Sequence, residues 1–101
     1  MRAGGDGALP PGDNIMLIAA IDRYLSLRQT LGFKLRDTTR ILHTFARFAA
    51  ALGDTHVRAE TAIRWAETAP SPHARHVRLR DIVRLARFLA AEDPAHEVPK
   101  M

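Results

Sequence analysis

No cysteine occurs among the 101 residues, which excludes a disulfide scaffold and a thiolate metal site and suits a reducing, cytoplasmic setting. Nowhere is there a run of the ~18 apolar residues that a membrane span requires. The opening Met1-Arg2-Ala3-Gly4-Gly5-Asp6-Gly7 lacks the apolar stretch of a signal peptide. Apolar alternation of period two, flanked by hairpin turns, is also missing, so no strands are expected. Lysine is scarce: of 15 basic residues only Lys34 and Lys100 are not arginine. Internal repeats and low-complexity segments are absent.

What is present is an ordinary globular composition, 47% hydrophobic and 26% charged, in a chain sized for one domain. The formal charge is +4 and the isoelectric point near 10.6. Arginine offers a planar, permanently charged fork that matches phosphate oxygens and guanine edges. A polyanionic partner is therefore one reading of the composition, and where the arginines fall must decide.

Residues 1–12 hold four of the six glycines and two prolines, which predicts a flexible arm. Asp13 or Asn14 can cap a first helix, in which Ile15, Leu17, Ile18, Ile21, Tyr24, Leu25, Arg28 and Leu31 keep the amphipathic rhythm. Gly32 sits where a left-handed cap ends that helix. A second helix is expected from a cap at Asp37 or Thr38, with Ile41, Leu42, Phe45, Phe48, Ala49 and Leu52 facing inward and Gly53 ending it. Val57 should tuck into the core. A short third helix over Glu60 to Thr68 is anchored by Trp65, with Ala62 and Ala66 as close-packing partners. Ser71-Pro72 is a strong start for a fourth helix, running to about Ala91 and burying Leu79, Ile82, Val83, Ala86 and Leu89. Pro94 and Pro99 bracket an extended tail over 94–101. The fold class is all-α: four helices over 13–93 in an orthogonal or up-down bundle.

On the fourth helix Arg80, Arg84 and Arg87 are spaced i, i+4, i+7, within ~60° of one another at ~100° per residue. They lie roughly opposite the Leu79/Ile82/Ala86 face, and His73, Arg75, His76 and Arg78 crowd the helix start. The second helix repeats the bias with Lys34, Arg36, Arg40, His43 and Arg47 against Asp37. Taken singly, each arginine is most simply a solvated surface residue. As a set they are segregated from the acids Asp6, Asp13, Asp22, Glu60, Glu67, Glu92, Asp93 and Glu97, and segregation is the footprint of a polyanion. Duplex DNA presents a phosphate about every 1.7 Å of axis, so two such helices could each meet several. The start of the second helix, Thr38-Thr39-Arg40, adds hydroxyls and backbone amides suited to phosphate.

Other chemistry is weaker. His73 and His76 could share a metal with Asp81, but no third ligand has convincing spacing, and no cofactor is expected. Ser71 beside His73 is explained as a cap, so it makes no hydrolase pair. Gly4 to Gly7 precede no helix of P-loop type, and no small-molecule substrate is indicated. Trp65, Phe45 and Phe48 read as core. Val77, Leu85 and Phe88 lie off the main apolar stripe, and with the first helix they could dock a partner helix or a second copy.

The stretch from Tyr24 to Leu35, Tyr-Leu-Ser-Leu-Arg-Gln-Thr-Leu-Gly-Phe-Lys-Leu, followed by Phe45-Ala46-Arg47-Phe48, resembles the N-terminal, SAM-like core-binding domain of tyrosine recombinases (phage integrases). So does Ser71-Pro72 with Arg75 and the run Leu79 to Leu89, while Glu92-Asp93-Pro94 through Val98-Pro99 resembles the linker toward that family's catalytic domain. The resemblance implies a four-helix bundle that clamps duplex DNA during integration and recombination, its second and fourth helices approaching the major groove. By position it implicates Lys34, Arg36, Thr38, Thr39 and Arg40 on one helix and Ser71, Arg75, Arg78 and Arg80 on the other. The charge pattern adds Arg47 and Arg84. The family's chemistry needs arginines, a lysine, a His-x-x-Arg motif and a nucleophilic tyrosine. No His-x-x-Arg occurs here and the single tyrosine, Tyr24, sits on an apolar stripe. A non-catalytic module is expected, with duplex DNA and a separate catalytic domain as partners.

Overall fold

The structure, a computed structural model, describes residues 11–32 and 35–101, with side chains from Met16 onward in the first stretch. The described residues form four helices and no strand: α1 (Pro11–Thr30), α2 (Arg36–Ala51), α3 (Ala59–Ala66) and α4 (Pro72–Glu92). The all-α expectation holds. The expected arm falls mostly on residues 1–10, outside the described residues, as does Lys34.

Local chemistry explains most helix ends. Gly32 and Gly53 have φ of +92° and +80°, a left-handed conformation that glycine adopts without Cβ strain. After α2, the Gly53 N–H donates to the Ala50 carbonyl (2.9 Å) and the Asp54 N–H to the Ala49 carbonyl (3.0 Å), a Schellman closure. Ser71 caps α4, its hydroxyl accepting from the Ala74 N–H at 3.1 Å, with Pro72 in the first turn. Two expected starts are corrected. α1 begins at Pro11 rather than after Asp13 or Asn14, because a first-turn proline needs no N–H partner. α2 begins at Arg36 with Leu35 at its N-cap and no side-chain cap, which places Asp37 and Thr38 inside the first turn.

α1 lies against α2 and α4, and α3 also lies against α2 and α4, while α1 and α3 do not meet. Helices α2 and α4 therefore form the central pair. Between them Trp65 and Phe45 meet edge-on, ring centroids 5.3 Å apart, over the fully buried Leu42, Val57, Ile82 and Leu85. On the other side Tyr24 of α1 packs on Phe88 of α4 at 5.3 Å. Leu85 and Phe88 are thus part of the interior, which corrects their reading as a docking surface: α1 covers them. Conversely Leu31, Leu52 and Ile18, expected inside, are exposed. Leu31 and Leu52 stand at the C-terminal ends of their helices, past the last turn that a neighbour covers.

The tail also departs from expectation. It folds back on the connection between α2 and α3 instead of extending. The Val57 N–H donates to His96 Nδ1 (3.1 Å), and the Glu97 N–H donates to the Val57 carbonyl (2.8 Å). The Glu97 carboxylate accepts from the Ala59 N–H (2.9 Å). Glu97 thereby caps α3, whose own N-cap, Arg58, supplies no side-chain bond.

Candidate nucleic-acid interface

Helical period sorts the α4 arginines into two sets. Arg78 precedes Ile82, Leu85 and Leu89 by four, seven and eleven positions, so it continues the buried stripe toward the helix start. Its guanidinium stacks over Trp65, 4.9 Å from the ring centroid, and donates to Thr68 Oγ1 (2.9 Å) and the Trp65 carbonyl (3.3 Å). Arg78 fastens the end of α3 to α4, with its Nη1 donating to both oxygens there. Ser71 is likewise engaged through its capping oxygen.

Arg80, Arg84 and Arg87 take the opposite side. Arg84 and Arg87 are exposed, and among the described residues neither has a carboxylate partner; the same is true of the exposed Arg75. Arg80 is half-buried. Its Nη2 lies 3.6 Å from Asp81 Oδ1, and its Nε is shielded without a hydrogen-bond partner.

On α2, Arg36 and Arg47 are exposed and without carboxylate partners among the described residues, and Arg40 has only a loose contact to Asp37 at 3.9 Å between two exposed groups. Thr38 and Thr39 are half-buried, and the Thr39 hydroxyl is turned inward away from solvent. The uncapped start of α2 opens on a groove of about 660 Å³ lined by Gln29, Leu35, Arg36, Asp37 and Thr38. Backbone amides in such a first turn carry the positive end of the helix dipole. Arg47 instead lines a second groove with Ile18, Asp22, His43 and Ala46. There the Asp22 carboxylate is engaged by His43, 2.8 Å away.

The last turn of α1 borders both basic sets. Gln29 lines the groove beside Arg36 and Thr38, while the charge of Arg28 acts on Asp81, the neighbour of Arg80 and Arg84.

Sequence reasoning passed over two features. In the sequence Asp81 stands as a lone acid among arginines; in the structure it is 3% exposed. Burial pushes its carboxyl above the ordinary carboxylate value, against the guanidinium groups of Arg80, Arg84 and Arg28. The signal existed, since Asp81 precedes Leu85 and Phe88 by four and seven positions.

The second feature is His56, Asp93 and His96, whose potential metal-ligating atoms lie within 4.8 Å of one another. It is unrelated to His73 and His76, which are exposed. Hydrogen bonding accounts for the cluster. His96 Nδ1 accepts from a backbone N–H, so in the neutral ring the proton sits on Nε2 and neither nitrogen offers a free lone pair. His56 is held between Thr55 (2.7 Å) and Asp93 (3.0 Å). Desolvation, with the nearby His56, lowers the pKa of His96, and the Ala95 N–H with His56 lowers that of Asp93.

Tyr24 is 4% exposed, packed on Phe88, and burial raises its hydroxyl pKa, so it is placed as a core residue. Among the described residues no helix is long and apolar enough to cross a membrane.

No family model matches the chain, and no solved structure matches it significantly. A protein of Sinorhizobium fredii, named "Putative integrase/recombinase y4rB", is 38% identical over 82 residues, covering 79% of this chain. The chain spans 26% of that protein's length. The likeness supports a relationship to the integrases and recombinases.

Proposed function

We propose that the chain is a core-binding module of the tyrosine-recombinase type, which grips duplex DNA through α2 and α4 without itself breaking a strand. One observation carries the reading: the two arginine-bearing helices pack against each other at the centre of the bundle, and Arg36, Arg47, Arg75, Arg84 and Arg87 on them lack carboxylate partners among the described residues. Adjacent helices can present their cations to one polyanion, and phosphate contacts of this sort position a protein on DNA before any base is read. The similar protein's name places it among integrases and recombinases.

Within this reading Arg36, Arg40, Arg84 and Arg87 contact phosphate and groove edges, together with the first-turn amides of α2. Lys34, outside the described residues, is assigned to the same contact on its sequence position. Arg75, Arg80 and Arg47 extend the contact along the two helices. Strand cleavage belongs to a separate catalytic domain, since Tyr24 is enclosed by the core. The test is affinity for a duplex of about 30 base pairs, measured between about 50 and 200 mM salt. Binding that weakens steeply with salt supports the reading. A flat salt response, or equal retention on a neutral polymer, overturns it.

A further inference from the structure

We propose that the buried carboxylate of Asp81 is a positioning residue, an anchor that aims Arg80 outward toward the DNA backbone. The inference rests on the DNA-binding reading above and adds a residue that touches no DNA.

Asp81 stands on the α1-facing edge of α4, one and two turns before Leu85 and Phe88. There the chain keeps an ionisable carboxyl group that is 3% exposed. A charge in such a place destabilises the fold unless neighbours compensate it. The charged groups that act on it are all arginines. Arg80 approaches to 3.6 Å, Arg84 is one turn along on the same face, and Arg28 reaches over from the last turn of α1. Burial raises the Asp81 carboxyl above its ordinary value, while the charges of Arg80, Arg84 and Arg28 oppose that rise.

Compensation runs in the other direction as well. A free arginine side chain samples many rotamers, and ordering it on DNA costs binding energy. Arg80, with its Nε already shielded and its Nη2 drawn toward Asp81, is held before DNA arrives. The Arg80 side chain is nevertheless 43% open to solvent. The carboxylate below thus fixes the direction of the guanidinium above it.

Charge and positioning give opposite signs, which makes Asp81→Asn decisive. By charge alone the substitution removes a negative group beneath the arginines and should tighten DNA binding. By positioning it should weaken binding about fivefold and lower the slope of log affinity against log salt by about one. The thermal midpoint should stay level or rise, because a buried charge has been removed. Asp81→Glu, which restores the carboxylate, should recover part of the affinity.

Affinity equal to or tighter than the parent's overturns the inference. So does loss of helical circular dichroism in both variants, since the carboxylate would then hold the bundle together. The Nη–H signals of Arg80 in NMR give a readout without DNA: slow solvent exchange in the parent and faster exchange in Asp81→Asn are expected. If the parent fails to bind DNA, the functional reading falls, and this exchange measurement still reports whether Asp81 orders Arg80.

Discussion

The region where the tail crosses the α2–α3 connection and the exposed arginines Arg36, Arg84 and Arg87 treat charge in opposite ways. In the first, carboxylates are engaged by neighbouring donors. Asp54 accepts from Thr61 (2.6 Å), Asp93 from His56 (3.0 Å), and Glu97 caps α3 (2.9 Å). Glu92 also pairs with Arg23 of α1. In the second, the cations face solvent without carboxylate partners among the described residues. A charge satisfied inside the molecule fixes structure, and one left unsatisfied at the surface is available to a partner. The contrast assigns roles to residues that look alike in sequence.

The largest expected effect comes from reversing the unsatisfied set. Arg36→Glu combined with Arg84→Glu should weaken duplex binding about 100-fold at low salt, by removing phosphate contacts and adding repulsion. Helical circular dichroism should stay unchanged. If binding persists, these arginines do not form the contact surface and the contrast collapses.

Arg78 sharpens the comparison because it is an arginine on the satisfied side. Arg78→Ala should lower unfolding stability by about 1–2 kcal/mol, through loss of the Trp65 stack and the Thr68 bond. Read by denaturant titration, this should come with DNA affinity nearly that of the parent. A large loss of affinity with no loss of stability would return Arg78 to the interface.

Ser71 divides in the same way. Ser71→Ala should cost about 1 kcal/mol as a lost cap, measurable as a shifted denaturation midpoint, and leave DNA affinity unchanged.

The smallest effect concerns pH in the satisfied region. The unfolded His96 titrates near 6.5, and burial lowers the value in the folded chain, so the unfolded state binds more protons in the window below 6.5. Stability from the neutral ring is therefore fully present above 6.5 and is lost as pH falls through the lowered folded value. His96→Asn keeps an acceptor for Val57 and removes the titration. Thermal midpoints of the variant should fall less between pH 7 and 5 than the parent's; equal slopes would show that the His96 ring does not set this pH dependence.

Legibility from sequence followed the range of the interaction. Gly32, Gly53, Ser71 and Pro72 act within a few residues, where backbone sterics decide, and all four end or begin helices as expected. The cap expected at Asp37 or Thr38 failed because α2 starts without any side-chain cap, its first turn open to the groove beside Gln29. Leu85 and Phe88 escape a reading by stripe because α4 is covered on two sides, by α1 as well as by α2 and α3, which widens its apolar face. Among the candidate site residues, exposure separated Arg36, Arg40, Arg47, Arg75 and Arg84 from Arg78 and Thr39, whose polar groups turn inward.

By itself the sequence determined that the chain is helical, where most helices stop, and that arginine is segregated from acid along two of them. Those properties depend on periodicity, local backbone geometry and composition, each readable within one or two turns. The tertiary structure alone decided that α2 and α4 are neighbours, that Arg78 is turned to Trp65, that Asp81 is enclosed, and that the tail caps α3. Each of these joins residues at least ten positions apart or depends on which helix covers which face, and helical period does not specify which helix becomes a neighbour.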